Sequence, residues 1–193
     1  MSRSSSDVSA LILAGGKATR FGGVAKHELL VDGATIFSRQ VSVLSPRVAE
    51  IIVSSSRDMP GFRTVRDTVE GAGPLAGIAA GLAACRTSWL LVVAGDMPHI
   101  TAALIDRMIE IAIGSYDPRE HVSLDAVGIR IDGLPEPLLC VLHTRTLPIV
   151  ERRIAARDYK ASRLLTDELR VHWIEDADRA AVRNVNSPED LGR

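Results

Sequence analysis

Leu11-Ile12-Leu13-Ala14-Gly15-Gly16-Lys17-Ala18-Thr19-Arg20-Phe21-Gly22-Gly23-Val24-Ala25-Lys26 runs from an apolar segment straight into four glycines and three cations. The apolar part is continuous rather than alternating, which suits a strand buried on both faces, as in a parallel sheet covered by helices. Glycine lets the backbone approach a ligand closely, so successive N–H groups can point at one anion. Lys17, Arg20 and Lys26 bring positive charge to the same place. In open α/β sheets ligands bind beyond the carboxyl ends of strands, where this loop begins. Two phosphate-binding motifs are excluded by spacing. No Gly-Lys-Ser/Thr ending follows the first glycine at Walker A distance, and the adjacent Gly15-Gly16 breaks a G-x-G-x-x-G fingerprint.

Further along, the apolar runs Ile51–Val53, Trp89–Ala94 and Leu138–Leu142 have the same continuous character as Val8–Ala14. Helical spacing separates them. Ile36, Phe37, Val41 and Leu44 share one stripe, and so do Leu104, Ile105, Met108, Ile109 and Ala112, with Thr101 placed as a cap. Leu75–Ala84 follows Gly73-Pro74, a loop and first helical turn. Ser187-Pro188-Glu189-Asp190 predicts a short final helix. The alternation implies an α/β fold: one doubly wound, mostly parallel sheet with right-handed crossovers. Its 193 residues suit a single domain over 8–193, with Met1–Asp7 a disordered tail and Tyr116–His121 a flexible loop.

Composition narrows the partners. A net charge of −1 gives no general pull toward nucleic acid or an anionic membrane, so any phosphate-binding charge is local. No apolar run approaches the ~20 residues of a membrane span, and no signal-peptide core is present. The expectation is a soluble cytoplasmic protein. Cys85 and Cys140 have neither metal-ligand nor CxxC spacing and read as buried reduced thiols.

A second polar focus is Trp89-Leu90-Leu91-Val92-Val93-Ala94-Gly95-Asp96-Met97-Pro98. A carboxylate at the end of a buried strand can hold Mg²⁺, which takes one or two carboxylates plus water and phosphate oxygens. Asp96 is therefore the candidate metal ligand; a helix-capping role is the alternative, and Thr101 already fits that task. Asp67 precedes a Gly71-to-Gly77 loop, and without further information would read as a turn residue. Asn184 and Asn186, one residue apart, point the same way on an extended chain. They are candidates for ligand contact or for tying down a loop. The five histidines show no metal-ligand pairing.

The pattern L-A-G-G-x-x-x-R-x-G-G-x-x-K resembles the signature loop of the nucleotidyltransferases of molybdenum-cofactor maturation, within the sugar-phosphate nucleotidyltransferase superfamily. Among these the chain is most similar to the molybdenum cofactor guanylyltransferases, and Leu13-Ala14-Gly15-Gly16 looks more like guanylyl- than cytidylyl-transferring members. G-D-M-P at 95–98, G-P-L-A-G at 73–77, the segment from Glu136-Pro137-Leu138, and N-x-N at 184–186 resemble further family segments. The resemblance implies a Rossmann-like nucleotidyltransferase fold and transfer of GMP from GTP to the terminal phosphate of molybdopterin or molybdenum cofactor, releasing pyrophosphate. It implies catalytic roles for Arg20, Lys26 and Asp96, with Mg²⁺ on Asp96. Leu13, Ala14, Gly15, Gly16, Lys26, Ser54, Asp67, Asp96, Asn184 and Asn186 would bind the nucleotide and metal. Lys160 and Arg163 would face the acceptor, and molybdoenzymes or other cofactor-biosynthesis proteins would be partners. Phe21 stands where the family usually has methionine, Ala25 where it has aspartate, and Ser54 where guanylyl-transferring members often have asparagine. Two alternatives stay open: a related transferase using CTP or a sugar-phosphate acceptor, and a non-catalytic nucleotide-binding adaptor.

Overall fold

The computed structural model describes residues 7–15, 25–67, 69, 71–114, 124–185 and 190. Met1–Ser6 of the expected Met1–Asp7 tail, the loop over Tyr116–His121 and the start of the final helix at Ser187 lie outside the described residues.

β1 (Val8–Leu13) is the strand read first from the sequence, and it lies inside a seven-stranded sheet of order β5-β4-β1-β6-β8-β7-β9. β1 pairs with β4 (Ile51–Ser54) on one side and with β6 (Trp89–Ala94) on the other, both parallel. β5 (Arg63–Val65) extends the sheet beyond β4. Beyond β6, β8 (Leu134–His143) runs antiparallel to its neighbours, while β7 (Ala126–Ile131) and β9 (Val171–Ile174) are parallel to each other. The sheet is mostly parallel, as expected, with β8 the reversed strand among those described. β2 (Leu30–Val31) and β3 (Ala34–Thr35) form a separate small hairpin.

Alternate residues of β1 and β6 feed two cores. Ala10, Ile12, Leu91 and Val93 pack with Leu44 of α1 (Ile36–Leu44) and with Leu104, Ile105 and Met108 of α3 (Ala102–Gly114). Leu11, Leu90 and Val92 turn the other way, toward α2 (Pro74–Ala84) and α4 (Leu147–Ala155). Burial on both faces is the physical reason these strands read as unbroken apolar runs. Thr101 caps α3, its Oγ1 accepting from the Leu104 N–H at 3.3 Å, so Asp96 is not needed for that task. A short helical turn, α5 (Ala161–Arg163), passes into a π-helical turn at Leu164–Glu168.

Two local readings need correction. Cys140 is buried, but Cys85 is only half-buried, at the C-cap of α2, where its thiol lies among oxygens of Thr87 and Trp89. Leu138–Leu142 is the second half of a longer strand that begins at Leu134. Pro135 and Pro137 interrupt the apolar pattern there and hid its start. β7 and β8 form a hairpin through Asp132-Gly133, whose φ angles of 53° and 75° suit the tight turns preferred between antiparallel strands.

Candidate active site

β1 lies where chain direction across the sheet reverses. From β1 the chain moves outward to β4 and β5, then α2 carries it back to β6 on the other side. Ligands bind beyond the carboxyl ends of strands at such a point. A cleft of about 400 Å³ opens there, lined by Leu13, Ala14 and Gly15 from β1, Ser54 from β4, and Ala94, Gly95 and Asp96 from β6. Lys26, His27, Asp67, Gly73, Pro74, Gly77 and Leu138 complete its walls.

Backbone hydrogen bonds lock the floor. The Ala14 N–H donates to the Ser54 carbonyl at 2.9 Å, and the Gly95 N–H to the Leu13 carbonyl at 3.1 Å. A Cβ on Gly95 would sit 2.6 Å from that carbonyl oxygen, so only glycine lets the β6 end pass so close to β1. Gly77 is similarly constrained: a Cβ there would meet Ser54 Oγ at 2.8 Å and Leu13 Cδ2 at 2.9 Å. Gly73 takes φ +61° just before Pro74, which starts α2 and points that helix's first turn into the cleft.

Lys26 begins a single 3-10 turn, Lys26–Glu28, and its Nζ donates to Asp96 Oδ2 at 2.8 Å. Both side chains remain partly open to solvent. His27, next along the turn, is buried and packs edge-on against Phe37, with ring centroids 6.1 Å apart. Burial lowers its pKa, outweighing the pull of Glu28 and a backbone hydrogen bond to Ala14, so the ring is neutral at pH 7. On the opposite wall the Ser54 hydroxyl donates to Asp67 Oδ1 at 3.1 Å.

Glu136, on β8, lies near enough to Asp96 to feel its charge. Burial pushes the Glu136 carboxyl above its ordinary range; the nearby Asp96 charge adds to this, and hydrogen bonds from Leu138 and Asn184 oppose it. Asn184 Oδ1 is buried without a hydrogen-bond partner among the described residues, while the neighbouring Val185 N–H donates to the Asp96 carbonyl at 2.8 Å.

Of the residues singled out from sequence, Leu13, Ala14, Gly15, Lys26, Ser54, Asp67 and Asp96 meet in this one cleft. Asn184 is not among the lining residues and hydrogen-bonds Glu136. Gly16, Arg20 and Asn186 fall outside the described residues. Lys160 and Arg163 do not line the cleft, and Arg163 instead lies 3.6 Å from Asp158. Sequence reading missed His27 and Glu136. Glu136 was discoverable, since its segment had been noted; His27, one residue past the lysine, carried no pattern of its own.

The MobA-like NTP transferase domain family matches residues 10–177, most of the chain and nearly all of the cleft. The chain belongs to this family. As a MobA-like NTP transferase it is a nucleotidyltransferase, and proteins named molybdenum cofactor guanylyltransferase are among its relatives. One from Pseudomonas putida is 31% identical over 191 residues, covering 95% of each chain. One from Burkholderia lata is 32% identical over 203 residues, covering 97% of this chain and 95% of the relative. In fold, this MobA-like chain matches the crystal structure of molybdopterin-guanine dinucleotide biosynthesis protein A from Archaeoglobus fulgidus, with a TM-score of 0.73 and 23% identity over 95% and 94% of the two chains. No helix among the described residues is long and apolar enough to cross a membrane.

Proposed function

We propose that the chain transfers GMP from GTP to the terminal phosphate of molybdopterin or molybdenum cofactor, with release of pyrophosphate. The observation that carries this reading is the meeting of Lys26 and Asp96 at 2.8 Å in a cleft floored by Gly15 and walled by Ser54 and Asp67. A triphosphate lying there would have a cation, loop amides and a metal-binding carboxylate within reach. Similarity to the guanylyltransferases from Pseudomonas putida and Burkholderia lata supplies the base and the acceptor.

Both substrates are anions, so positioning and charge neutralisation dominate the chemistry. Lys26 and Arg20, with the Gly15 and Gly16 amides, hold the β- and γ-phosphates. Ser54 and Asp67 take the nucleoside end, and the family resemblance adds Asn184 and Asn186 to the nucleotide-binding set. The acceptor phosphate attacks the α-phosphorus as the bond to the β-phosphate oxygen breaks. The cleft fits a hard divalent cation, Mg²⁺ in this reading, because Asp96 lines it with a carboxylate and substrate phosphates and water would supply the remaining oxygens. Asp96 would be the principal ligand. Bound there, the cation would neutralise phosphate charge and steady the leaving pyrophosphate.

Pyrophosphate release from GTP, CTP, UTP and ATP, each with Mg²⁺ and molybdopterin-loaded acceptor, tests the proposal. Turnover with GTP well above the others is expected. Preference for CTP would replace guanylyl by cytidylyl transfer, a reading left open by Ser54, which stands where guanylyl-transferring members often carry asparagine. Nucleotide binding without any pyrophosphate release would turn the chain into an adaptor. Thermal shift reports binding separately, since ligand at 100 times its Kd stabilises by about 2.7 kcal/mol.

A further inference from the structure

Gln40 is the polar residue that the helical stripe of α1 does not explain. Its side chain is fully buried, on a helix whose other inward residues are Ile36 and Leu44. An apolar residue of similar length would fit that position without desolvating an amide. Gln40 also leaves its Oε1 buried with no hydrogen-bond partner among the described residues. Such an unmatched acceptor opposes folding, and departures of this kind gather where function requires them.

Its two N–H bonds show what the amide does. Nε2 donates to the Ala94 carbonyl at 2.7 Å and to the Met97 carbonyl at 3.0 Å. Those carbonyls stand on either side of Gly95-Asp96. The turn's own closure, from the Met97 N–H to the Ala94 carbonyl, is long at 3.4 Å. One short bridge from the core therefore holds both ends of the segment that its backbone holds weakly. The same helix grips the next residue along, with Arg39 Nε donating to the Pro98 carbonyl at 3.1 Å. Gly95 and Asp96 are secured from the other side by Leu13 and Val185.

We infer that Gln40 is a positioning residue for Asp96: its buried amide clasps the carbonyls flanking the aspartate and aims the carboxylate at the divalent cation. This rests on the cation role of Asp96 proposed above. Residues that orient metal ligands through hydrogen bonds are worth about 10- to 100-fold in metal affinity. A purely structural role would lower stability and leave metal dependence untouched.

Four variants test the inference: Gln40→Met keeps length without donors, Gln40→Asn is a milder change with a shorter reach, Asp96→Asn removes the carboxylate, and Leu82→Ala is a core change on the opposite face of the sheet. Mn²⁺ binding to each protein–GTP complex is titrated by electron paramagnetic resonance. The Mg²⁺ dependence of pyrophosphate release is measured in parallel, with thermal midpoints. Expected are Mn²⁺ affinity and apparent Mg²⁺ affinity weakened about 10- to 100-fold in Gln40→Met, less in Gln40→Asn, and unchanged in Leu82→Ala at similar thermal loss. Excess Mg²⁺ is expected to restore much of kcat in the Gln40 variants. If Gln40→Met fails to fold, Gln40→Asn decides. Wild-type metal affinity in the folded Gln40 variants, with Asp96→Asn impaired, overturns the role of Gln40 alone. Wild-type Mn²⁺ binding by Asp96→Asn overturns the cation role and this inference together.

Discussion

Lys26 and Asp96 are 70 residues apart in sequence and 2.8 Å apart in space. Lys26 comes from the turn after the glycine-rich loop and Asp96 from the end of β6, so the fold alone brings them together. Lys26→Ala and Asp96→Ala are each expected to reduce transfer by about 10²–10³, the usual cost of removing one preorganised charge contact. Because both side chains are partly solvated, thermal midpoints should scarcely move. Wild-type-like turnover by purified Asp96→Ala would sink the metal assignment.

Ser54→Ala removes the hydroxyl that donates to Asp67 and leaves the cleft wall otherwise unchanged. A hydrogen bond to a carboxylate is worth about 1.5–3 kcal/mol, so a rise of roughly 10- to 100-fold in nucleotide KM is expected. Since the contact lies away from the reacting phosphates, kcat should hold. Steady-state kinetics separate the two constants, and a fall in kcat at constant KM would contradict this placement.

Gly95→Ala should unfold more easily than wild type. Its new Cβ would press on the Leu13 carbonyl, a backbone atom that cannot swing aside. Overpacking of this kind costs about 1–3 kcal/mol. Gly114→Ala is the control, because open space surrounds that position. Urea denaturation of both variants decides; equal midpoints would show that the sheet absorbs the extra methyl.

Asp125 joins three strands at the far end of the sheet. Its carboxylate accepts from Arg145 Nε at 3.0 Å and from the Arg170 backbone and side chain, also at 3.0 Å. Burial alone would raise its pKa, but these bonds outweigh burial and hold it below the ordinary range. A depressed carboxyl stabilises the fold above its unfolded pKa of about 3.9, and that contribution fades as pH falls through the folded value. Asp125→Asn should therefore cost about 1–2 kcal/mol at pH 7, modest because both arginines reach solvent. The difference from wild type should shrink steadily below about pH 5. Urea midpoints across that range test it, and a pH-independent gap would refute it.

How much was legible follows from where each element lies. β1, β4 and β6 sit in the buried middle of the sheet and announced themselves as unbroken apolar runs. β5 and β9 are edge strands, three and four residues long, and β9 places His172 and Trp173 among its few positions; neither offered a pattern. β7 is interrupted by Gly128, where a Cβ would strike Trp173 at 2.7 Å. Hydropathy carries no strand direction, so the reversal of β8 stayed hidden. Lys26 and Asp96 stood out because phosphate and metal chemistry favour those residue types at strand ends, whereas Asp67 entered only with the family resemblance. Gln40 was not, since one glutamine in a helix looks like any solvated position until its burial is known.

The reversed strand has one more outcome. Because β8 runs against β6, its opening residues, not its closing ones, arrive at the rim beside Asp96, and the Asp132-Gly133 bend that precedes them stands above that rim with Leu134 exposed at 72%. Lengthening this bend would add surface at that rim while every buried rung below kept its partner.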